Sequence, residues 1–376
     1  MMTNLMRSVS RVLFAVLLLF SLSGCWDNRP VDERDMVFTL GLENGSPKAP
    51  LQMVFQFPTP SALIDYAAHK GISPKTSPVA DVSGSGPTVA QCFNQGQAQV
   101  SRDLYLGQIQ LVEVASDLKP DVFSRAVTDL TRIGTMDMTP FMFVTGQDLD
   151  SVMRAQTTQA QFPTLYYTSL FTCAHCQTDN LSIKLWQFAA DANTPGVDPR
   201  LPYVSVDPSS QEIVIDRVAL YRHLQFVTAL SPTQTQDFGL LKGLANKVSV
   251  FIPQGQISLR DIHGQVHLQT AVANGRVQAK FRINLTSTLA STAAVTETPA
   301  SNAAIASEVS KVLAQQCLSL LQYTQSKDVD PLGIGRMLDW QHPNTFLKFR
   351  RWHQEYPKVA MSVQVHLHVY KLGNIK

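Results

Sequence analysis

The chain has 376 residues, 44% hydrophobic and 16% charged. That length allows roughly two or three domains of about 100–200 residues, and the hydrophobic fraction excludes both a disordered chain and a polytopic membrane protein. Lys and Arg number 31 against 29 Asp and Glu; residues 1–24 hold Arg7 and Arg11 and no acid, so the remainder is neutral, 29 against 29. A neutral body lacks the basic surplus of a nucleic-acid binder. Thirty glutamines supply much of the surface solvation that charge does not.

Arg7 and Arg11 form a short basic region, followed by nine unbroken apolar residues, Val12 to Phe20. Nine residues are too few to span a bilayer and suit a signal-peptide core. Leu22-Ser23-Gly24-Cys25 comes next. This run resembles the lipobox of bacterial lipoproteins, in which the cysteine takes diacylglyceryl, with palmitate-type chains, and becomes the first mature residue. Residues 1–24 are therefore read as a lipoprotein signal peptide and Cys25 as the lipidation site. Two or more acyl chains hold stably where one does not.

Strands are expected at Met36–Leu42 and Leu51–Phe57, joined through the turn chemistry of Asn44-Gly45-Ser46-Pro47. Residues 58–87, rich in Pro, Ser and Gly, read as a long loop. A helix is expected over 88–101, a strand over Leu104–Ala115, a helix over Pro120–Arg132, a buried strand at Phe141–Val144 and a helix at Asp148–Ala155. Four prolines and Gly196 between Asn193 and Pro208 mark a domain boundary.

Beyond it, Glu212–Tyr221 reads as a strand running into Phe226-Val227, Gln234–Leu244 as a short helix and Val248–Phe251 as a strand. Long β alternation follows at Gln256–Ile262, Gln265–Ala271 and Arg276–Leu285, with His263-Gly264 and Asn274-Gly275 as turns. Ala303–Tyr323 carries the apolar stripe of the longest helix. Asp330 and Pro331 are placed as cap and first residue of another, and Val359–Tyr370 closes the chain as an alternating strand. The expected fold is α+β, with mixed sheets and packed helices in three domains: 25–200, a middle domain 201–254, and a hairpin-rich C-terminal domain 255–376.

Cys173-Ala174-His175-Cys176 is the sharpest local motif. It fits an inert or structural disulfide, a labile redox pair or part of a metal site. No second CxxC supplies further metal ligands, and the residues after it read as loop rather than as the helix of a thioredoxin-like site. No metal and no cofactor is expected. The chain contains no GxSxG, HExxH or phosphate loop, and Gly333-Ile334-Gly335 lacks the third glycine of a dinucleotide fingerprint. Asp328 and Asp330 are two acids at catalytic spacing, but turn and cap chemistry accounts for them. His366 and His368 share one face of the last strand without a partner set. The residues alone thus describe an exported, membrane-tethered α+β protein that is not an enzyme.

Three ordered stretches resemble the Ger(x)C family of spore germination lipoproteins. Gly24-Cys25-Trp26-Asp27 matches its start, and Ile213–Val227 with Gly239–Gly243 matches its middle signature. Lys327-Asp328-Val329-Asp330-Pro331-Leu332-Gly333-Ile334-Gly335 matches its D-P-x-G-x-G run, and Trp352 and Tyr356-Pro357 continue the likeness. The longer loop at 73–87, the Cys173–Cys176 pair and the glutamine content depart from it. The resemblance implies the C subunit of a nutrient germinant receptor, needed for germination in response to nutrients. Such a subunit sits on the outer face of the cytoplasmic (spore inner) membrane beside two integral-membrane subunits of A and B type. It also implies three α+β domains, with Asp328, Asp330, Pro331, Gly333, Gly335 and Trp352 as a structural signature. Two rival readings are a solute-binding lipoprotein of a transporter, against which the hairpin-rich last third argues, and an extracytoplasmic thiol oxidoreductase using Cys173 and Cys176.

Overall fold

The computed structural model describes residues 30–68, 77–155, 160, 162–173, 181–210, 212–252, 255–292, 299–349 and 351–372. Cys25 and Cys176 lie outside these residues. The strands are β1 (Arg34–Met36), β2 (Thr39–Ser46), β3 (Ala49–Pro58), β4 (Val79–Gly86), β5 (Asp103–Tyr105), β6 (Leu111–Ala115), β7 (Phe141–Thr145), β8 (Ile183–Lys184), β9 (Arg200–Val206), β10 (Ile213–Arg222), β11 (Gln225–Ala229), β12 (Lys247–Ile252), β13 (Gly255–Ala273), β14 (Arg276–Thr292) and β15 (Ala360–Leu372). The helices are α1 (Pro60–Ala67), α2 (Val89–Gln97), α3 (Pro120–Leu130), α4 (Leu149–Met153), α5 (Pro163–Thr172), α6 (Leu185–Asn193), α7 (Pro232–Lys242), α8 (Pro299–Ser326), α9 (Ile334–Gln341), α10 (Pro343–Phe346) and α11 (Trp352–Glu355). The fold is α+β.

Two sheets carry most of the chain. The first runs β11-β10-β9-β7-β6-β2-β3-β4, with β8 added to β7. Its inner strands β2, β6, β7 and β9 are mutually parallel. On one face Leu40, Met53 and Phe55 pack with Phe123 of α3 and Phe188 of α6. On the other, Leu111, Phe143 and Val204 meet Val152 of α4 and Tyr167 and Phe171 of α5. Covering both faces explains why these strands read as apolar runs. The second sheet is β12-β13-β14-β15, packed on α8 through Val309, Leu313 and Leu321.

Part of the proline-rich stretch 193–208, expected as a domain boundary, is strand: β9 takes up Arg200–Val206. Pro202 lies within β9, which pairs with β10 along its whole length. Residues 201–254 form no sheet of their own, since β9 to β11 complete the first sheet and β12 opens the second. The strand β10 also joins the two cores. Its Ala219 and Tyr221 face the first, and its Val218 and Leu220 face the second, with Phe238 of α7.

Four local expectations change. The stretch 58–87 contains α1 and β4, not only loop. Gly84 makes this possible, because a Cβ there would stand within 2 Å of the Cys92 carbonyl oxygen of α2 (1.9 Å). A run that reads as loop is therefore in part a strand stripped for helix packing. The stretch 104–115 is two strands separated by a 3-10 turn at Leu106–Gln108. His263-Gly264 is not a turn but lies within the single strand β13, whose register shifts at a bulge around Asp261, φ 52°. The first hairpin turns at residues 47–48, because Asn44 and Ser46 still pair with Leu51 and Ala49. Asn274-Gly275 does turn β13 into β14, with φ of 53° and 74°, the left-handed pair that a two-residue hairpin requires.

Candidate functional site: the Asp330 junction

The segment after α8 leaves the second sheet, meets the loop before β9, and enters α9. Asp328 takes a left-handed φ of 54°, which redirects the chain at the end of α8. The helix expected from Pro331 begins three residues later, at Ile334, with Gly333 at φ 73° before it. Asp330 to Gly333 form a buried turn, and Asp330 caps it from within.

The Asp330 side chain is fully buried. Oδ1 accepts the backbone N–H groups of Gly333 at 2.9 Å and Ile334 at 3.0 Å. Oδ2 accepts the N–H of Gly335 at 2.9 Å and the indole Nε1–H of Trp352 at 3.0 Å. Four donors on two oxygens leave no lone pair for a proton, so the geometry is that of a carboxylate. Burial raises its pKa, opposed by the donors from Gly335, Ile334 and Trp352 and by the charge of Lys242. Lys242 ends α7, and Gly243 stops that helix in a left-handed cap. Burial, with Arg200 nearby, pushes the Lys242 amine down to about 8.

The first sheet supplies the other half. The Asp198 N–H donates to the Asp330 carbonyl at 2.8 Å, and the Asp330 N–H donates to Asp198 Oδ2 at 2.7 Å. The Arg336 N–H donates to the Gly196 carbonyl at 2.8 Å. A Cβ on Gly335 would stand 2.6 Å from the Trp352 ring and 2.7 Å from the Gly196 Cα. Only glycine lets these three segments meet.

Outside this core lies a half-exposed ring of charge. Arg222 donates to Asp328 Oδ2 at 2.7 Å, and Arg336 to Asp191 Oδ1 at 3.0 Å. The His353 ring lies between Asp198 Oδ1, 3.6 Å from Nε2, and Asp328 Oδ1, 3.7 Å from Nδ1. The His223 ring centre is 4.8 Å from that of His353. Burial pushes the Asp198 carboxyl up to about 7, helped by Asp330 and Asp328 and opposed by the Asp330 N–H and Arg222. Burial lowers the His353 pKa.

The structure thus brings Asp328, Asp330, Pro331, Gly333, Gly335 and Trp352 into one junction. It adds Gly196, Asp198, Arg222 and His353, which sequence reasoning missed. Asp198 lies in the proline-rich stretch expected as a domain boundary, and its partner lies 132 residues away. A charged residue held between Val197 and Pro199 was the one available hint. Among the described residues, no group of three or more His, Cys, Asp and Glu is placed to hold a metal. The junction's carboxylates are engaged by backbone, indole and arginine donors, which fasten chain to chain. Cys173 lies elsewhere, directly after α5, and is disulfide-bonded. Cys92 and Cys317 are free and buried.

Comparison with known proteins follows the same two-part division. Residues 27–206 match the family described as spore germination protein N-terminal domain. Residues 216–373 match the family described as spore germination B3/GerAC like, C-terminal. No curated protein gives a significant sequence match. The crystal structure of the GerBC protein superposes with a TM-score of 0.57 at 10% identity, covering 89% of this chain and 98% of that one. That likeness is one of fold. With family matches spanning both halves and the D-P-x-G-x-G run built into the junction between them, the chain belongs to the Ger(x)C family of spore germination proteins.

Proposed function

We propose that this chain is the lipid-anchored C subunit of a nutrient germinant receptor. Acylated Cys25 holds it to the outer face of the spore's inner membrane, beside two integral-membrane subunits. The observation that carries this reading is order along the chain: a basic region, nine apolar residues and LSGC stand directly before the first family match at residue 27. Among the described residues no helix is long and apolar enough to cross a membrane. The subunit acts by binding and not by catalysis, because the buried acids of the junction are occupied in fastening segments together. Cys173 belongs to a structural disulfide in this reading.

The test is genetic and biochemical together. Deleting the gene is expected to abolish germination toward one nutrient class while leaving others intact. The Cys25→Ala variant is expected to leave the membrane fraction or to remain unprocessed. Normal processing at residue 25 with unchanged membrane retention overturns the anchor. Undiminished germination toward every nutrient overturns the receptor.

A further inference from the structure

Eight large apolar side chains are exposed among the described residues: Val31, Leu63, Ile64, Trp186, Phe251, Val272, Trp340 and Leu347. Four of them gather at one end of the first sheet. The register fixes that end. Thr39, Leu111 and Phe141 begin β2, β6 and β7 side by side, and Gln56 near the end of β3 lies opposite Thr39. The chain enters the fold here, through Val31 and β1. It leaves β3 here at Pro58 and turns into α1. It also meets Trp186 here, since Lys184 pairs with Phe141 and the Trp186 N–H donates to the Met138 carbonyl at 3.1 Å.

The helix α1 is attached by its inner side. Ala62 packs on Val79 and Phe162, and Phe162 lies edge-on to Phe38. Four of its exposed residues beyond Ser61 are apolar: Leu63 is 40% exposed and Ile64 66%, and Ala67 and Ala68 are exposed beside them. Ile64, Ala67 and Ala68 recur at the three- and four-residue spacing of one helix face. Trp186 is 50% exposed, and tryptophan, apolar in body with one polar N–H, suits a membrane–water boundary.

The chain outside the structure names the occupant. Five residue steps separate Cys25 from Pro30, the first described residue, and fully extended they reach at most about 18 Å. We propose that the end of the first sheet bearing Val31, Leu63, Ile64 and Trp186 lies on the bilayer, with α1 and Trp186 set into its interface. This rests on the reading of Cys25 as the anchor. Asp32 and Glu33 stand beside Val31, so attraction to anionic lipid does not drive the contact. Apolar insertion does, and a zwitterionic bilayer suffices.

The experiment uses the full lipidated chain on phosphatidylcholine vesicles whose acyl chains carry bromine, a quencher of tryptophan fluorescence. Co-flotation with the vesicles reads the anchor, and quenching reads the face. Trp186→Phe and Trp340→Phe are compared with their parent in a Trp26→Phe background, because Trp26 adjoins the lipidated cysteine and is quenched whichever face lies down. Trp340 sits on α9, whose Gln341 bonds β13 of the second sheet. The expected result is that Trp186→Phe removes much of the quenchable signal and Trp340→Phe removes none. Ile64→Asp is expected to cut the quenching of Trp186 at least twofold with flotation unchanged. A chain that floats while Trp186 stays unquenched overturns the proposed face and leaves the anchor standing. Quenching carried by Trp340 in place of Trp186 overturns it in favour of the face that bears α9. Cross-linking of α1 to an integral-membrane protein in spore membranes, with Trp186 unquenched on pure lipid, assigns this end to that protein and also overturns the proposal. A chain that does not float overturns the anchor reading and the face together.

Discussion

Asp330 and Glu113 are both fully buried carboxyls, and their surroundings are opposite. Asp330 accepts four N–H donors drawn from three consecutive residues and an indole. Glu113, on β6 between Gly41 of β2 and Phe143 of β7, finds no hydrogen-bond partner for either carboxyl oxygen among the described residues. Burial drives the Glu113 pKa well above its ordinary value of 4.5, with Asp148, Glu43 and Asp150 adding to it. The first acid is kept charged and used as a fastener. The second is tolerated because it keeps its proton. Burial alone therefore says nothing about what an acid does; the donors around it decide.

The comparison breaks most sharply at Asp330→Ala. Four buried donors lose their acceptor, and an unsatisfied buried group costs about 1–3 kcal/mol. The summed loss, after relaxation, is on the order of 3–5 kcal/mol, the range for stripping one partner from a buried charged network. A urea midpoint close to wild type would show that the junction is not held by this carboxylate. Asp330→Asn retains one acceptor oxygen and is expected to fall between the two.

Glu113→Gln probes the opposite environment. The folded pKa lies above the unfolded one, so the folded state holds a proton that the unfolded state releases as pH rises past about 4.5. Stability from this group is full below that pH and declines as pH climbs toward the folded value, by up to about 1.4 kcal/mol per pH unit. Glutamine cannot ionise, so the difference in stability between variant and wild type should grow in the variant's favour from pH 5 to 8. A difference independent of pH would mean that Glu113 does not stay protonated in the fold.

Gly335→Ala tests the close approach instead of the charge. The added methyl meets the Trp352 ring and the Gly196 backbone below 3 Å, at 2.6 and 2.7 Å. Such overpacking costs about 1–3 kcal/mol. A melting temperature equal to wild type would show that the three segments separate without penalty.

The two acids also mark how far the sequence could be read. Asp330 was half legible: Asp-Pro signals a turn and a cap, and Gly333 and Gly335 signal tight packing. Its partner Asp198 was not legible, because the bonds joining them span 132 residues and no local pattern encodes that distance. Glu113 was invisible. Period two puts Glu113 on the face of Leu111, which α4 and α5 cover, but a sheet buried on both sides does not alternate, so nothing local marks this acid as buried. The Asn274-Gly275 hairpin was fully legible, since its backbone requirement sits in the two residues themselves. The difference is one of range: local dihedral needs are written locally, and tertiary cover is not.

The smallest expected effect lies at the rim of the junction. Arg222 pairs with Asp328 at 2.7 Å, both side chains are about a third exposed, at 39% and 30%, and such pairs contribute roughly 0.2–1 kcal/mol. Arg222→Ala should therefore scarcely change the melting temperature. It should still change the titration of His353. Burial is the main cause that lowers the His353 pKa, with smaller lowering from His223 and Arg222, while Asp328 raises it. Removing Arg222 takes away a neighbouring cation and leaves Asp328 and Asp198 beside the imidazole, so the His353 pKa should move upward. Imidazole nitrogen shifts followed by NMR across pH 4 to 8 would read that movement directly. A His353 titration identical in variant and wild type would show that the rim charges act independently of the ring, and that the electrostatic reach of the junction ends at the donors around Asp330.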